Sequence, residues 1–190
     1  TIDILNEAIE KGKQVEFHYN RFYFDKAKNE ERKQKKYKIN PYFMINNQGR
    51  YYLVCNYYYF NDTANYKVEL ISDIKILDTD AKPITQLSGC ENGVDMVKYA
   101  NENIYMFHNK TVKAILKIEK DYASEFVMEW FGKKANFYQK DNNVYADIEV
   151  NEQAIIYWCL QYGDSIELVS PQSTREEIKK QIQQLNKKYA

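Results

Sequence analysis

The stretch that most constrains this chain is Arg50-Tyr51-Tyr52-Leu53-Val54-Cys55-Asn56-Tyr57-Tyr58-Tyr59. It follows Asn46-Asn47-Gln48-Gly49, a turn signal. Aromatic and β-branched side chains crowd it, so it reads as a strand. A period of two puts Tyr51, Leu53, Cys55 and Tyr57 on one face and Tyr52, Val54, Asn56 and Tyr58 on the other. Both faces are largely apolar or aromatic. That pattern predicts a core strand of a β unit, covered on both sides.

The segments before and after it have the same character. Ile2 to Lys11 predicts a short amphipathic helix, with Ile2, Leu5, Ala8 and Ile9 on one face and Gly12 as its stop. Val15, Phe17 and Tyr19 then alternate with Glu16, His18 and Asn20, the pattern of a half-buried strand. Lys26 to Lys38 carries Lys26, Lys28, Arg32, Lys33, Lys35, Lys36 and Lys38 against Glu30 and Glu31, and reads as a mobile hairpin loop. Tyr37 to Ile45 returns as a strand, with Pro41 at an edge or a bulge. Tyr66 to Leu77 gives one or two more strands, broken near Ser72-Asp73. Short strands with tight connections predict a small β-barrel ending near Asp80.

The second half has a different rhythm. Lys82 to Asn109 reads as a connector with a helix from Val94 to Asn103. Val112, Ala114, Leu116 and Ile118 mark a strand, and Ala123, Phe126, Val127 and Trp130 a helix closed by Gly132. A hairpin turns at Asp141-Asn142-Asn143. Asn151 is placed to cap a helix running to Tyr162, and Ser170 to cap a last helix with Pro171 at its first position. Ile166 and Leu168 lie on a short strand between these two helices. The order βαββαβ, then a helix, predicts a ferredoxin-like sandwich. The expected fold class is α+β, with a barrel over 1–80, a helical connector over 81–111 and a ferredoxin-like unit over 112–190.

Chemistry is sparse in this sequence. His18 and His108 lie far apart, without metal-ligand spacing. No glycine-rich phosphate loop, nucleophile elbow or paired zinc motif occurs. No enzymatic activity, cofactor or metal is expected. Cys55, Cys90 and Cys159 are odd in number and widely spaced, and read as reduced, mostly buried thiols of a cytosolic protein. No apolar run approaches a membrane span and no signal peptide opens the chain, so a cytoplasmic location is expected. Trp130 and Trp158 fall at helical spacing with apolar neighbours and read as core. The formal net charge of zero excludes a wholly basic coat but not a local patch. The basic segment Lys26–Lys38 has two readings, a phosphate-tracking loop beside stacking tyrosines or a solvated hairpin tip. Arg21, Lys38, Arg50 and Lys67 form a second cation set, on or beside strands that also carry tyrosine. They either converge on an anion through charge-assisted hydrogen bonds or are unrelated surface charges.

Tyr51-Tyr52-Leu53 is similar to the Trp-Tyr-Leu tripeptide that names the WYL domain, with Tyr for Trp. The neighbours agree in order: Ile4–Ile9 and Val15–Tyr19 resemble the family's opening helix and strand, and Asn40-Pro41-Tyr42 its proline-containing strand. Tyr66-Lys67-Val68-Glu69-Leu70-Ile71 stands where the family has Tyr-Arg-hydrophobic-Asp-Arg-hydrophobic. Trp130-Phe131-Gly132, Trp158–Gly163 and Leu168–Pro171 resemble the C-terminal extension of WYL regulators.

The resemblance implies an Sm-like barrel in a bacterial transcription regulator. It also implies a nucleic-acid or nucleotide-type ligand for the barrel and a homodimer. In such regulators a winged helix-turn-helix precedes the barrel and contacts promoter DNA. This chain opens on Thr1 directly into a helix, so a fragment is expected, with promoter contacts only through a missing N-terminal domain.

The expected ligand site is Tyr19, Arg21, Lys38, Arg50, Tyr52 and Lys67. Arg50 and Tyr52 share a face by strand period. Tyr19 and Lys67 enter by resemblance, and Lys38 by its place before the turn. A register slip of one residue would turn Lys38 to the other face. Leu70 stands where the family has Arg, so one cation of the family site is missing. The competing reading is a pure dimerisation or protein-interaction module. In either case the stripe Ile178, Ile182, Leu185 and Tyr189 on the last helix is the expected dimer contact.

Overall fold

The computed structural model describes residues 1–25, 30–107 and 110–190, with side chains outside residues 22–33. The chain divides into two compact units, Thr1–Met96 and Val97–Ala190. Each has its own antiparallel sheet.

The first unit opens with α1 (Ile2–Glu10), which buries Leu5 and Ala8. Gly12, at φ 60°, ends the helix in a backbone region that other residues avoid. β1 (Lys13–Asp25), β2 (Glu30–Asn47), β3 (Arg50–Asn56) and β4 (Ala64–Lys67) follow, then a 3-10 turn over Val68–Leu70 and β5 (Ile71–Asp80). The sheet order is β4-β3-β2-β1-β5. β2 changes partner along its length, pairing with β1 as far as Ile39 and with β3 from Asn40. A bulge sits at that handover, between Pro41 and Phe43, where proline removes a ladder donor. Gln48 and Gly49, both at positive φ, make the two-residue turn from β2 to β3. The core is built from Leu5, Val15, Phe17, Ile39, Leu53 and Cys55, with the rings of Tyr19, Tyr37 and Tyr66.

Three expectations for this unit change. The hydrogen-bonded ladder ends at β4 and β5 and does not close into a barrel. The break after Tyr66 falls at Val68–Leu70, and Asp73, at φ 51°, lies in a bulge of β5. The basic segment is not a loop over its whole length. Residues 26–29 lie outside the described residues, but Glu30 onward is strand, paired as far as Asp25↔Glu30. Charged side chains carry no apolar period, so the partner strand decides the conformation here.

A buried polar network ties the unit together. Gln14 Nε2 donates to Asn40 Oδ1 at 2.8 Å, and Asn40 Nδ2 donates to Asn56 Oδ1 at 3.0 Å. The Lys82 N–H also donates to Asn40 Oδ1, at 3.0 Å. Asn56 Nδ2 donates onward to the carbonyls of Phe60 and Asp62.

The residues between the sheets are shared out, with Leu87 and Cys90 buried before the division and Ile104 and Met106 after it. The second unit runs from α2 (Met96–Glu102, which begins at the division) through β6 (Thr111–Ile118), α3 (Ala123–Phe131), β7 (Asn136–Lys140) and β8 (Asn143–Asn151). α4 (Glu152–Gln161), β9 (Ile166–Ser170) and α5 (Gln172–Tyr189) complete it. The sheet order is β7-β8-β6-β9, all antiparallel. From β6 onward the element order is the one read from the sequence. Asp141 and Asn142, at φ 48° and 60°, form the β7–β8 turn. Asn151 caps α4, its Oδ1 accepting from the Ala154 N–H at 3.1 Å. α3 and α4 lay Val127, Phe131, Ile155 and Trp158 against Leu116, Ile148 and Leu168 of the sheet. Ser170 does not cap α5. Pro171 holds that position with an extended ψ of 152°, so the helix begins one residue later, and it has no side-chain cap.

Candidate functional site

Strand register decides which side chains meet. On one face of β1 and β2 stand Phe17↔Tyr37 and Tyr19↔Lys35, while Glu16↔Lys38 and His18↔Lys36 stand on the other. On the second face Lys36 pairs with Glu16 at 2.7 Å, and His18 Nδ1 lies within hydrogen-bond distance of Asp73 Oδ2, at 3.1 Å. The Lys36 hydrogen bond holds the Glu16 carboxyl below its ordinary range, and the His18 hydrogen bond does the same for Asp73.

The first face carries a tyrosine cluster. Ring centroids lie 4.8 Å apart for Tyr19–Tyr66, 5.1 Å for Tyr37–Tyr66 and 5.7 Å for Tyr37–Tyr57. The hydroxyls of Tyr57 and Tyr66 share a hydrogen bond of 2.7 Å. Burial pushes the pKa of Tyr19, Tyr57 and Tyr66 upward, which favours the neutral hydroxyl at these three positions. Among the described residues, two cations sit over its rings. Arg21 Cζ is 5.7 Å from the Tyr19 centroid, and Lys35 Nζ is 5.2 Å from that of Tyr37.

β4 brings in the remaining groups. Tyr52 pairs with Lys67, so the two share a face. The Lys67 N–H donates to the Tyr19 hydroxyl at 3.2 Å, a side chain meeting the edge strand's free donor. Arg50 Nη1 donates to Glu69 Oε1 at 3.0 Å. Burial raises the pKa of Tyr52, with Arg50 opposing and Glu69 adding to the rise. Burial also dominates for Tyr19, where the Lys67 N–H and Arg21 lower the pKa and Tyr52 raises it.

Tyr19, Arg21, Arg50, Tyr52 and Lys67 are thus linked by pairing, hydrogen bond or mutual field. Lys38 is not among them. It stands opposite Glu16, on the face turned from Tyr19, because the register places odd-numbered β2 residues with odd-numbered β1 residues. Lys35 takes the place expected of Lys38. The sequence signal for Lys35 was its spacing of two from Tyr37. The register sets the Tyr52 and Lys67 side chains on the face of β3 and β4 opposite to Leu53 and Tyr66, while Tyr37, Tyr57 and Tyr66 gather around Tyr19 and Glu69 pairs with Arg50. Their gathering depends on the bend of β2, which no local pattern announces.

Among the described residues no group of three His, Cys, Asp or Glu stands ready for a metal. His108 lies outside them. Cys55 and Cys159 are buried, and burial pushes the Cys159 thiol up to about 12, which suppresses the thiolate. Among the described residues no helix is long and apolar enough to cross a membrane. The second unit has a groove of about 490 Å³ whose charges pair internally, Lys98 with Glu102 at 3.4 Å and with Glu149 at 3.9 Å. A second groove, about 390 Å³, runs along α5 and is lined by Cys159, Leu168, Ile178 and Ile182.

Comparison with known proteins gives this geometry a family. Residues 1–76 match the model of the WYL domain. No curated protein matches the chain. Among solved structures, a CRISPR Cas-related protein aligns over 98% of this chain and 50% of its own, with 13% identity and a TM-score of 0.56, which is a likeness of fold. Proteasome accessory factor B/C (PafBC) of Arthrobacter aurescens aligns over 93% of this chain and 25% of its own, with 14% identity and a TM-score of 0.35. The chain therefore spans half the length of one of these solved chains and a quarter of the other. The match over residues 1–76, the stretch that holds the Tyr51-Tyr52-Leu53 tripeptide, identifies this part of the chain as a WYL domain.

Proposed function

We propose that this chain is the effector-sensing part of a cytoplasmic transcription regulator, and that its first unit binds a nucleic-acid or nucleotide-type anion. One observation carries the reading: Arg21 and Lys35 lie over tyrosine rings, and the Tyr19 hydroxyl accepts from the backbone N–H of Lys67. Cations on aromatic rings suit a ligand with both phosphate and base. Promoter contact belongs, in this reading, to a helix-turn-helix domain elsewhere in the regulator. Strand order and the 3-10 turn between β4 and β5 support an Sm-like unit over 1–80, and the split βαβ order supports a ferredoxin-like unit over 112–190. Residues 81–111 connect the two.

The test is titration of a single-stranded oligonucleotide at two salt concentrations. Arg50→Ala and Lys67→Ala are each expected to weaken binding alike across base sequences. Each is also expected to flatten the salt slope by about 0.7 for every phosphate it leaves without a cation. Unchanged affinity and slope in both variants would remove these two residues from the site.

A second reading, an interaction module, draws on α5. Ile182, Leu185 and Tyr189 are 54%, 42% and 81% exposed on one stripe. We expect a homodimer in light scattering at tens of micromolar, and a monomer from Ile182→Glu with Leu185→Glu. A monomeric parent would refute this assignment of the stripe.

A further inference from the structure

We propose that the loop between β3 and β4 is a stacking platform for the bases of single-stranded nucleic acid, with Tyr58, Tyr59 and Phe60 as its rings. The proposal rests on the nucleic-acid reading of the first unit. It adds the element that touches bases, which the cation set does not supply.

These three consecutive rings are 60%, 91% and 60% exposed. Single exposed aromatics are ordinary on a protein surface, whereas a contiguous run marks a contact site. The loop that presents them is held firmly. The Phe60 N–H donates to the Tyr57 carbonyl at 3.0 Å. The amide of Asn56, itself fully buried, donates to the carbonyls of Phe60 at 3.0 Å and Asp62 at 2.8 Å. The Ser88 N–H donates to the Asn61 carbonyl at 2.8 Å. Rings on a fixed backbone lose little freedom on binding, since only two side-chain torsions each remain to be ordered. Tyr58 and Tyr59 stand at 88° to one another, 5.6 Å apart, so their faces point in different directions.

The surroundings favour nucleic acid over protein. Lys82 Nζ donates to the Phe60 carbonyl and to Asn61 Oδ1, neutral acceptors that hold a cation at the base of the loop. On the other side Phe60 packs on Tyr57 at 6.0 Å, Tyr57 on Tyr37 at 5.7 Å, and Lys35 lies over Tyr37. Aromatic platforms flanked by cations are the pattern of single-strand binders. The core of a protein interface, by contrast, is depleted in lysine.

The experiment compares two labelled strands of about ten nucleotides by fluorescence anisotropy, one with bases and one abasic. The proteins are the parent chain, Tyr59→Ala, and the combined Tyr58→Ala and Phe60→Ala variant. Each variant should bind the base-bearing strand about tenfold more weakly. Affinity for the abasic strand and the salt slope should both hold, because every cation stays in place. Equal weakening on the two strands, or parent-like binding of both, would overturn the platform. If Arg50→Ala weakens binding while the loop variants bind as the parent does, the sensor reading stands and the platform falls. A parent that binds neither strand removes both. Loop variants that turn a dimer into a monomer with oligonucleotide affinity unchanged would assign the rings to a second copy of the chain, and overturn the proposal.

Discussion

Asn40→Ala is expected to destabilise the first unit by roughly 3 kcal/mol or more, a large share of what holds a unit of this size folded. The side chain is fully buried and joins three elements. Its Oδ1 accepts from Gln14 and from the Lys82 N–H, and its Nδ2 donates to Asn56. Truncation strands all three partners in a site with little access to water. A buried group left unsatisfied costs about 1–3 kcal/mol, and polar networks fail as units. The loss should appear as a drop of about 1–3 M in the urea midpoint of the first transition. Adding Asn56→Ala should add much less than it costs alone, since the network is already broken. Two fully additive losses would mean that the four groups are not coupled. Asn56 also holds the carbonyls of Phe60 and Asp62, so this network fixes the aromatic loop as well as the fold.

Trp158→Ala should cost the second unit about 3–5 kcal/mol, as large-to-small changes in a packed core do. The indole is fully buried, 4.9 Å from both Phe131 and Tyr162 by ring centroids. Trp158→Phe should behave differently. The indole N–H of Trp158 has no hydrogen-bond partner among the described residues. Removing it relieves an unmet donor and offsets the smaller ring, so the change should stay within about 1 kcal/mol of the parent. The midpoint of the second transition, followed by circular dichroism, separates the two. A phenylalanine variant as unstable as the alanine one would show that the N–H is satisfied after all.

Much of this architecture was legible before any coordinates. Val15, Phe17 and Tyr19 alternate and are buried as the alternation requires. Asn151 caps its helix and Asp141-Asn142 turns its hairpin, because those side chains and backbones have few other uses in such places. Lys38 was misplaced for a different reason. Which face a strand residue takes depends on register to a single position, and only the partner strand sets it. The polar network was hidden because Gln14, Asn40 and Asn56 look like surface residues in a one-dimensional pattern. Ladder closure and the gathering of Lys35, Glu69 and the tyrosines depend on how β2 bends between two partners. That bend is a tertiary property of the sheet.

The pairing of β1 with β5 has a kinetic meaning. β2, β3 and β4 each begin within a few residues of the end of the strand before, so each of those ladders closes a short span of chain. The β1–β5 ladder instead unites Lys13 with Asp80 and Tyr19 with Ile71. Closing so long a span demands more chain entropy and slows the search. Lys67, whose N–H meets Tyr19, lies one 3-10 turn before β5. The rim that carries Tyr19 and Lys67 is therefore completed by the pairing of highest contact order in the unit. Any opening of that ladder would expose the rim before it disturbed the local hairpins.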